Sequence, residues 1–382
     1  MCTICGSSKK KFIADLCSNM KIMGNNFPEE KSRIVCCEEC GFVYSDFENI
    51  VQEDFDKYYL ETSRTVRYED IYGQEMPLKY YEHIYDVVSK YSNKGDNIID
   101  IAAGYGEISE YFLSKGYSNV TVNEIKPECI EHIRSKKMKL LEKNVYALNE
   151  IEDKFDIAIV SHDLEHFTDI NRAMSNILSV LNDDSYMLVE VPDVSMYEKL
   201  DRAPYHFLTY EHIGHFSDVT LQNIATRHGM EIVEMGHYIK CDDYPCVYAL
   251  MRRTTNVIEK IERDIISEEE ICKYVRRCKK DIAEIVDKYS KDNTPIILWG
   301  IGASTAQLLN GCFDNCNVVQ LIDKNESKQG LEFVVGNKKL VIEKPELIKD
   351  QNSTILILST AYKDLIKKDI INRGLKNQIE WL

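Results

Sequence analysis

The chain has 382 residues, 44% hydrophobic and 29% charged, with a formal net charge of −16. This length points to two or three domains and the composition to a soluble globular protein, while the acidic balance argues against a nucleic-acid binder, which needs a positive field to release counterions. No apolar run approaches the ~18 residues of a membrane span, and MCTICGSSKKK lacks the apolar core of a signal peptide, so the expectation is a cytoplasmic protein with neither nucleic-acid nor membrane partners.

Residues 1–55 are expected to be a metal module. Six of the 13 cysteines fall in the first 40 residues: Cys2, Cys5, Cys17, Cys36, Cys37 and Cys40. Two C-x-x-C-G knuckles stand at 2–6 and 37–41. The two-residue spacer turns both sulfurs toward one ion, and the glycine lets backbone N–H groups approach thiolate. Two such pairs form a closed, structural zinc site from Cys2, Cys5, Cys37 and Cys40. Cys36 is the alternative to Cys37, and four free thiols are the alternative to zinc. Residues 56–95 read as a helical linker rich in tyrosine (Tyr58, Tyr59, Tyr68, Tyr72, Tyr80, Tyr81, Tyr85), a composition that favours packing with a wet edge.

Over residues 96–253 strands alternate with helices. NIIDIA (97–102), NVTVNE (119–124), FDIAIVS (155–161) and SYMLVEVP (185–192) are the strands, and DINRAMSNILSVL (169–181) has helical spacing. EIVEMGHY and CVYALMRR close the segment as an antiparallel pair. The pattern predicts a doubly wound, mostly parallel sheet. Residues 254–292 read as a helical connector, with a stripe through Val257, Ile261, Ile265, Val275, Ile282, Ile285 and Tyr289. Residues 293–382 begin a second, smaller Rossmann-like α/β unit: PIILWG, VVQLID, STILILST and a final helix around YKDLIKKDIINRG.

The stretch DIAAGYG (100–106) ends a strand and opens a helix, where glycines admit a ligand to backbone N–H groups. Asp100 precedes the glycines, and Glu124 closes the next strand, where a carboxylate accepts from ribose hydroxyls. These residues resemble the class I S-adenosylmethionine-dependent methyltransferases, whose first motif reads acid-x-Gly-x-Gly-x-Gly. A Rossmann-type loop for another nucleotide is the alternative. The resemblance implies an S-adenosylmethionine site lined by Asp100, Ala102, Gly104, Tyr105, Gly106, Glu124 and Ser161. Ala102 departs from the motif, standing where the first glycine belongs, and the N-D-D-S turn before SYMLVEVP lacks the usual Gly-Gly.

The zinc-knuckle start, methyltransferase centre and C-terminal α/β unit together resemble the nucleotide-sugar C-methyltransferases. WGIGAS (299–304) and LIDKNESKQG (321–330), with Asp323, Lys328 and Gly330, are similar to that family's C-terminal segments. The family's Tyr-His-Glu-His run is matched in LTYEHIGHFS (208–217) by Glu211 and His212 only, with Thr209 and Tyr210 in the first two places. His166, in SHDLEH, matches a second histidine. A tyrosine in KYYLETS, Tyr58 or Tyr59, is a further match.

By this resemblance the protein is an enzyme that methylates a small nucleotide-linked keto-sugar on carbon. His212 is the base that makes an enolate, Glu211 its partner, His166 a donor to the developing oxyanion and Tyr210 an aid. O-methylation of a sugar or related small molecule is the rival, since the same residue types serve an oxygen nucleophile. A non-catalytic scaffold with a degenerate methyltransferase fold is the rival of another class. His162 with His166, and His212 with His215, have spacings that could share a metal ion, although E-H-x-x-H is not the zinc-protease H-E-x-x-H. Ser217 before DVTL is an expected helix N-cap. The oligomeric state is left open.

Overall fold

The computed structural model describes residues 1–16, 27, 28, 30, 32–61, 63, 79–240, 243–254, 260–309, 311–360 and 362–382. Cys17, Tyr68, Tyr72 and Val257, singled out above, lie outside the described residues.

The N-terminal segment forms an antiparallel meander of β1 (Lys10–Leu16), β2 (Ser32–Cys37) and β3 (Val43–Asp46). The knuckles sit at its ends: Gly6 and Gly41 take φ of 76° and 78°, the left-handed conformation that glycine adopts without strain. A Cβ on Gly41 would stand 1.8 Å from the Asp264 carbonyl oxygen, so no other residue fits there.

The central sheet contains β4 (Asn97–Ile101), β5 (Asn119–Asn123), β6 (Lys139–Leu141), β7 (Phe155–Ser161) and β8 (Leu181–Pro192). After the two-residue β9 (Gly214–His215) come β10 (Met230–Ile239) and β11 (Pro245–Arg253). The order is β10-β11-β8-β7-β4-β5-β6, with β11 antiparallel to both neighbours and β4 to β8 parallel. Ile98, Ile99, Ile101, Ile157, Ile159 and Val160 are buried, so these strands read as near-continuous apolar runs, as expected where helices cover both faces. One face packs on the helix Ile170–Ser179 through Ala173, Met174 and Ile177. On the other, Ile84, Val87 and Val88 of the helix Lys79–Ser89 pack with Ile98, Phe112, Ile157 and Leu188. This helix, expected as linker, is therefore a layer of the central unit. β8 begins at Leu181, so the N-D-D-S segment expected as a turn is part of the strand.

The connector helix runs from Ile266 to Lys291, shorter at its start than its stripe suggested; Ile265 is its N-cap residue and is exposed. Ile271, Tyr274, Val275 and Cys278 pack with Leu16, Ile34, Val43, Tyr197 and Phe207, and Ile282 and Tyr289 enter the C-terminal core. One helix thus joins three parts of the chain. The C-terminal sheet has β12 (Ile296–Trp299), β13 (Val318–Ile322), β14 (Glu332–Val335), β15 (Lys338–Glu343), β16 (Thr354–Ile357) and β17 (Ile379–Trp381), in the order β14-β15-β13-β12-β16-β17. In the parallel part of each sheet the chain leaves its first strand to one side and returns on the other (β4 between β5 and β7, β12 between β13 and β16), which opens a crevice at the carboxyl ends of those strands.

Candidate active site

The four expected cysteine sulfurs converge. Cys2 Sγ lies 3.6 Å from Cys40 Sγ and Cys5 Sγ 3.4 Å from Cys37 Sγ, all four within 4.8 Å of one another. A tetrahedral ion with ~2.3 Å bonds needs sulfurs roughly 3.8 Å apart, so the set fits zinc. Cys36 is outside it: its thiol donates to the Gly41 carbonyl oxygen at 3.4 Å, and burial pushes that thiol up to about 12.

The Gly-rich turn follows β4. Ala102, Gly104 and Gly106 have φ of 48°, 55° and 77°. Ala102 therefore holds the left-handed conformation that the usual glycine would hold, with its methyl group accommodated. Glu124 accepts from the Gly104 N–H at 2.7 Å through one oxygen and from the Ile125 and Lys126 N–H groups through the other; burial raises its carboxyl. Asp100 accepts from the Ser109 hydroxyl at 2.8 Å, and burial raises it to about 7. The Tyr105 ring meets His132 edge-on at 5.3 Å. Ser161, at the end of β7, donates to Glu190 Oε1 at 3.0 Å.

Beyond β7 the chain makes a sharp turn with His162 at φ 59°. His162 bridges two carboxylates: Nδ1 is 3.3 Å from Glu165 Oε1 and Nε2 is 3.1 Å from Glu190 Oε1. Glu190 is fully buried, pairs with Lys240 at 2.8 Å and accepts from the Tyr238 hydroxyl. Burial alone would raise the Glu190 carboxyl; Lys240 and then His162 hold it well below the usual range.

His166 Nδ1 lies 2.7 Å from the Glu211 carbonyl oxygen and 3.2 Å from the Tyr59 hydroxyl. A carbonyl only accepts, so Nδ1 carries the proton. Nε2 then faces Glu165, at 4.0 Å. The His212 ring stands 5.1 Å from that of His166. Its Nδ1 is buried with no hydrogen-bond partner among the described residues, and burial, followed by the His166 charge, lowers the imidazole to about 4.

The carboxylate grouped with His212 is Glu165, with His166 as third member. Glu211, expected as the partner of His212, instead accepts from the Tyr58 hydroxyl at 2.8 Å. Both tyrosines weighed for this region thus reach it. Tyr210 does not line the site; its ring packs in a cluster with Phe27, Ile50, Phe55, Tyr58 and Ile213. The histidine pairs weighed as metal ligands are split: His166 joins His212 and Glu165, and His162 joins Glu190 and Cys246. Ser217 is the expected N-cap, its hydroxyl accepting from the Thr220 N–H at 3.2 Å.

His212 and Glu211 open on a cleft of about 810 Å³. Ala203, His206 and Tyr244 of the central unit line one wall; Gly300, Gly302, Asp323, Lys328 and Thr360 of the C-terminal unit line the other. Lys328 Nζ is 3.4 Å from Asp323 Oδ2 and 3.9 Å from where a Cβ on Gly302 would be. Sequence reading passed over Glu165 and Glu190. The signal was there for Glu190, a lone carboxylate inside the apolar run SYMLVEVP, since a buried charge needs partners.

Residues 72–235 match the family model for a methyltransferase domain, and residues 292–379 match the model described as C2185-like, N-terminal. No curated protein matches the chain. Solved structures similar to the chain include a magnesium protoporphyrin IX methyltransferase from Synechocystis with bound S-adenosylmethionine (13% identity, 55% of this chain, 100% of that one, TM-score 0.41). A 1,6-didemethyltoxoflavin-N1-methyltransferase from Burkholderia thailandensis gives 15% identity over 57% of this chain and 97% of that one, at a TM-score of 0.39. An S-adenosylmethionine-dependent methyltransferase from Methanosarcina mazei gives 19%, 45%, 99% and 0.38. The central unit has the class I S-adenosylmethionine-dependent methyltransferase fold. The protein is accordingly an S-adenosylmethionine-dependent methyltransferase. Among the described residues no helix is long and apolar enough to cross a membrane.

Proposed function

We propose that this methyltransferase acts on a small nucleotide-linked keto-sugar and methylates the carbon beside the ketone through an enolate. The observation that carries the reading is the His212 imidazole opening on an 810 Å³ cleft between the methyltransferase domain and the C-terminal unit. A cleft of that volume seats an extended, polar small molecule. Its C-terminal wall offers Lys328 to phosphate and Asp323 to hydroxyls. Asp100, Ala102, Gly104, Gly106 and Glu124 would hold S-adenosylmethionine, which would supply the methyl group as a sulfonium. Zinc on Cys2, Cys5, Cys37 and Cys40 is structural.

His212, kept neutral by burial, accepts the α-proton. His166 gives its Nδ1–H to the Glu211 carbonyl, so only a proton on Nε2, the nitrogen 4.0 Å from Glu165 Oε1, is left to reach the enolate oxygen. Glu165 and then Glu211 both favour charge on the His212 ring, and Glu165 also faces His166. The test is proton exchange: a nucleoside-diphosphate 4-keto-6-deoxyhexose is incubated with the protein in D₂O without cofactor and followed by NMR. Wild type exchanges a proton alpha to the ketone, and His212→Asn slows exchange roughly 10²–10⁴-fold while binding S-adenosylmethionine as before. Absence of exchange in wild type that still methylates the same sugar would shift the assignment to oxygen.

A further inference from the structure

Asp163 is the residue the proposed mechanism leaves unused. It lies two positions beyond the end of β7, and β7 pairs with β4 in parallel, with Val160 opposite Ile101. Asp163 therefore stands across the switch-point crevice from the Ala102–Gly106 turn. Its Oδ2 is shut off from solvent and has no hydrogen-bond partner among the described residues. Around it are Asp100 from the end of β4, Glu124 from the end of β5, and Glu165 and His162 from its own turn. That turn is fixed: His162 donates its N–H to the Glu190 carbonyl oxygen at 2.8 Å, and its ring spans Glu165 and Glu190. Ionising a carboxyl that has one buried, unpartnered oxygen and three buried acids around it is costly unless a cation enters.

We infer that Asp163 is a specificity residue that reads the positive charge of the bound cofactor, so that the site prefers S-adenosylmethionine to the demethylated product. The inference rests on the cofactor reading above. The donor carries a sulfonium, an ammonium and a carboxylate, net +1; the product has lost the sulfonium charge and is net neutral. Burial, then the neighbouring Glu165, Asp100 and Glu124, raise the Asp163 carboxyl well above the usual carboxylate range, and Asp100 is raised as well. Entry of a cation lets a carboxyl in the group ionise and releases its proton to solvent. Methyl transfer removes that cation, and product leaves a site it no longer matches.

Calorimetry of both ligands, with wild type and the isosteric Asp163→Asn, at pH 6.5 in two buffers of different ionisation heat, tests this. Asp163→Asn is expected to weaken S-adenosylmethionine about tenfold and S-adenosylhomocysteine less than twofold, and to reduce the protons released on binding the former, with an unchanged melting temperature. Equal weakening of both ligands, or no change in either, overturns the role of Asp163 while leaving the cofactor site in place. Failure of wild type to bind either ligand sinks the cofactor reading and this inference with it.

Discussion

Ala102 holds a φ of 48° at the first position of the Ala102–Gly106 turn. A left-handed L-residue costs ~1–2 kcal/mol, and glycine gives back about 0.5–1 kcal/mol in chain entropy. Ala102→Gly is therefore expected to stabilise the protein by up to ~1 kcal/mol in urea unfolding, with an unchanged denaturant slope. His215 poses a different case. It is fully buried on β9, both ring nitrogens lack hydrogen-bond partners among the described residues, and burial, then His212, lowers it to about 3. Below pH ~6.5 the unfolded chain takes up a proton on this residue that the folded chain refuses until near pH 3, so stability falls as pH falls through that window. His215→Phe removes this pH dependence. Between pH 7 and 5 the variant should lose about 2 kcal/mol less than wild type in paired urea titrations. Asp100, raised to about 7, acts in the opposite sense, losing its contribution as pH rises toward 7, and is common to both proteins.

At the scale of elements, Asp264 ties three helix and loop ends together. Its buried carboxylate accepts from the Ser217 and Thr220 hydroxyls at the start of the helix Asp218–Arg227, and from the Ile266 and Ser267 N–H groups and the Ser267 hydroxyl at the start of the connector helix. Its backbone N–H donates to the Cys40 carbonyl oxygen at 2.8 Å, and its own carbonyl closes over Gly41. Asp264→Ala leaves several buried donors unpaired at once, and a loss of about 3 kcal/mol or more in global stability is expected. Asp264→Asn, which keeps acceptor oxygen but adds two donors, should lose less. If both variants melt with wild type, the carboxylate is not the tie.

What could be read in the sequence divides along the same scale. Strands β4, β5, β7 and β8 announce themselves as apolar runs because helices cover both faces, and the glycine turn and knuckles are local patterns whose geometry follows from adjacent residues. The Glu165–His212 grouping and the bond from Tyr58 to Glu211 bring together residues 47 to 153 positions apart, and nothing in local periodicity encodes such pairings. The β14–β15 hairpin escaped notice for another reason: its strands are 4 and 6 residues long and partly exposed. The connector helix starts late because Asp264, not the apolar stripe, decides where its first turn is capped.

For the molecule as a whole, the segment 211–217 is strung between two supports. On one side the Glu211 carbonyl oxygen receives His166 Nδ1–H, and the Ile213 N–H donates to the Glu165 carbonyl oxygen at 2.6 Å. On the other, the Ser45 N–H donates to the Ile213 carbonyl oxygen at 2.8 Å, and His215 pairs with Val43 as the fourth strand of the cysteine sheet. Metal analysis is expected to find one zinc per chain, and a strong chelator should abolish the proposed proton exchange into a keto-sugar before it abolishes S-adenosylmethionine binding, whose proposed residues lie at the ends of central-sheet strands. Thiolate coordination at one end of the chain would then act as a tensioner: slackening it would let His212, the proposed base, drift off its target while the proposed donor site stays moored.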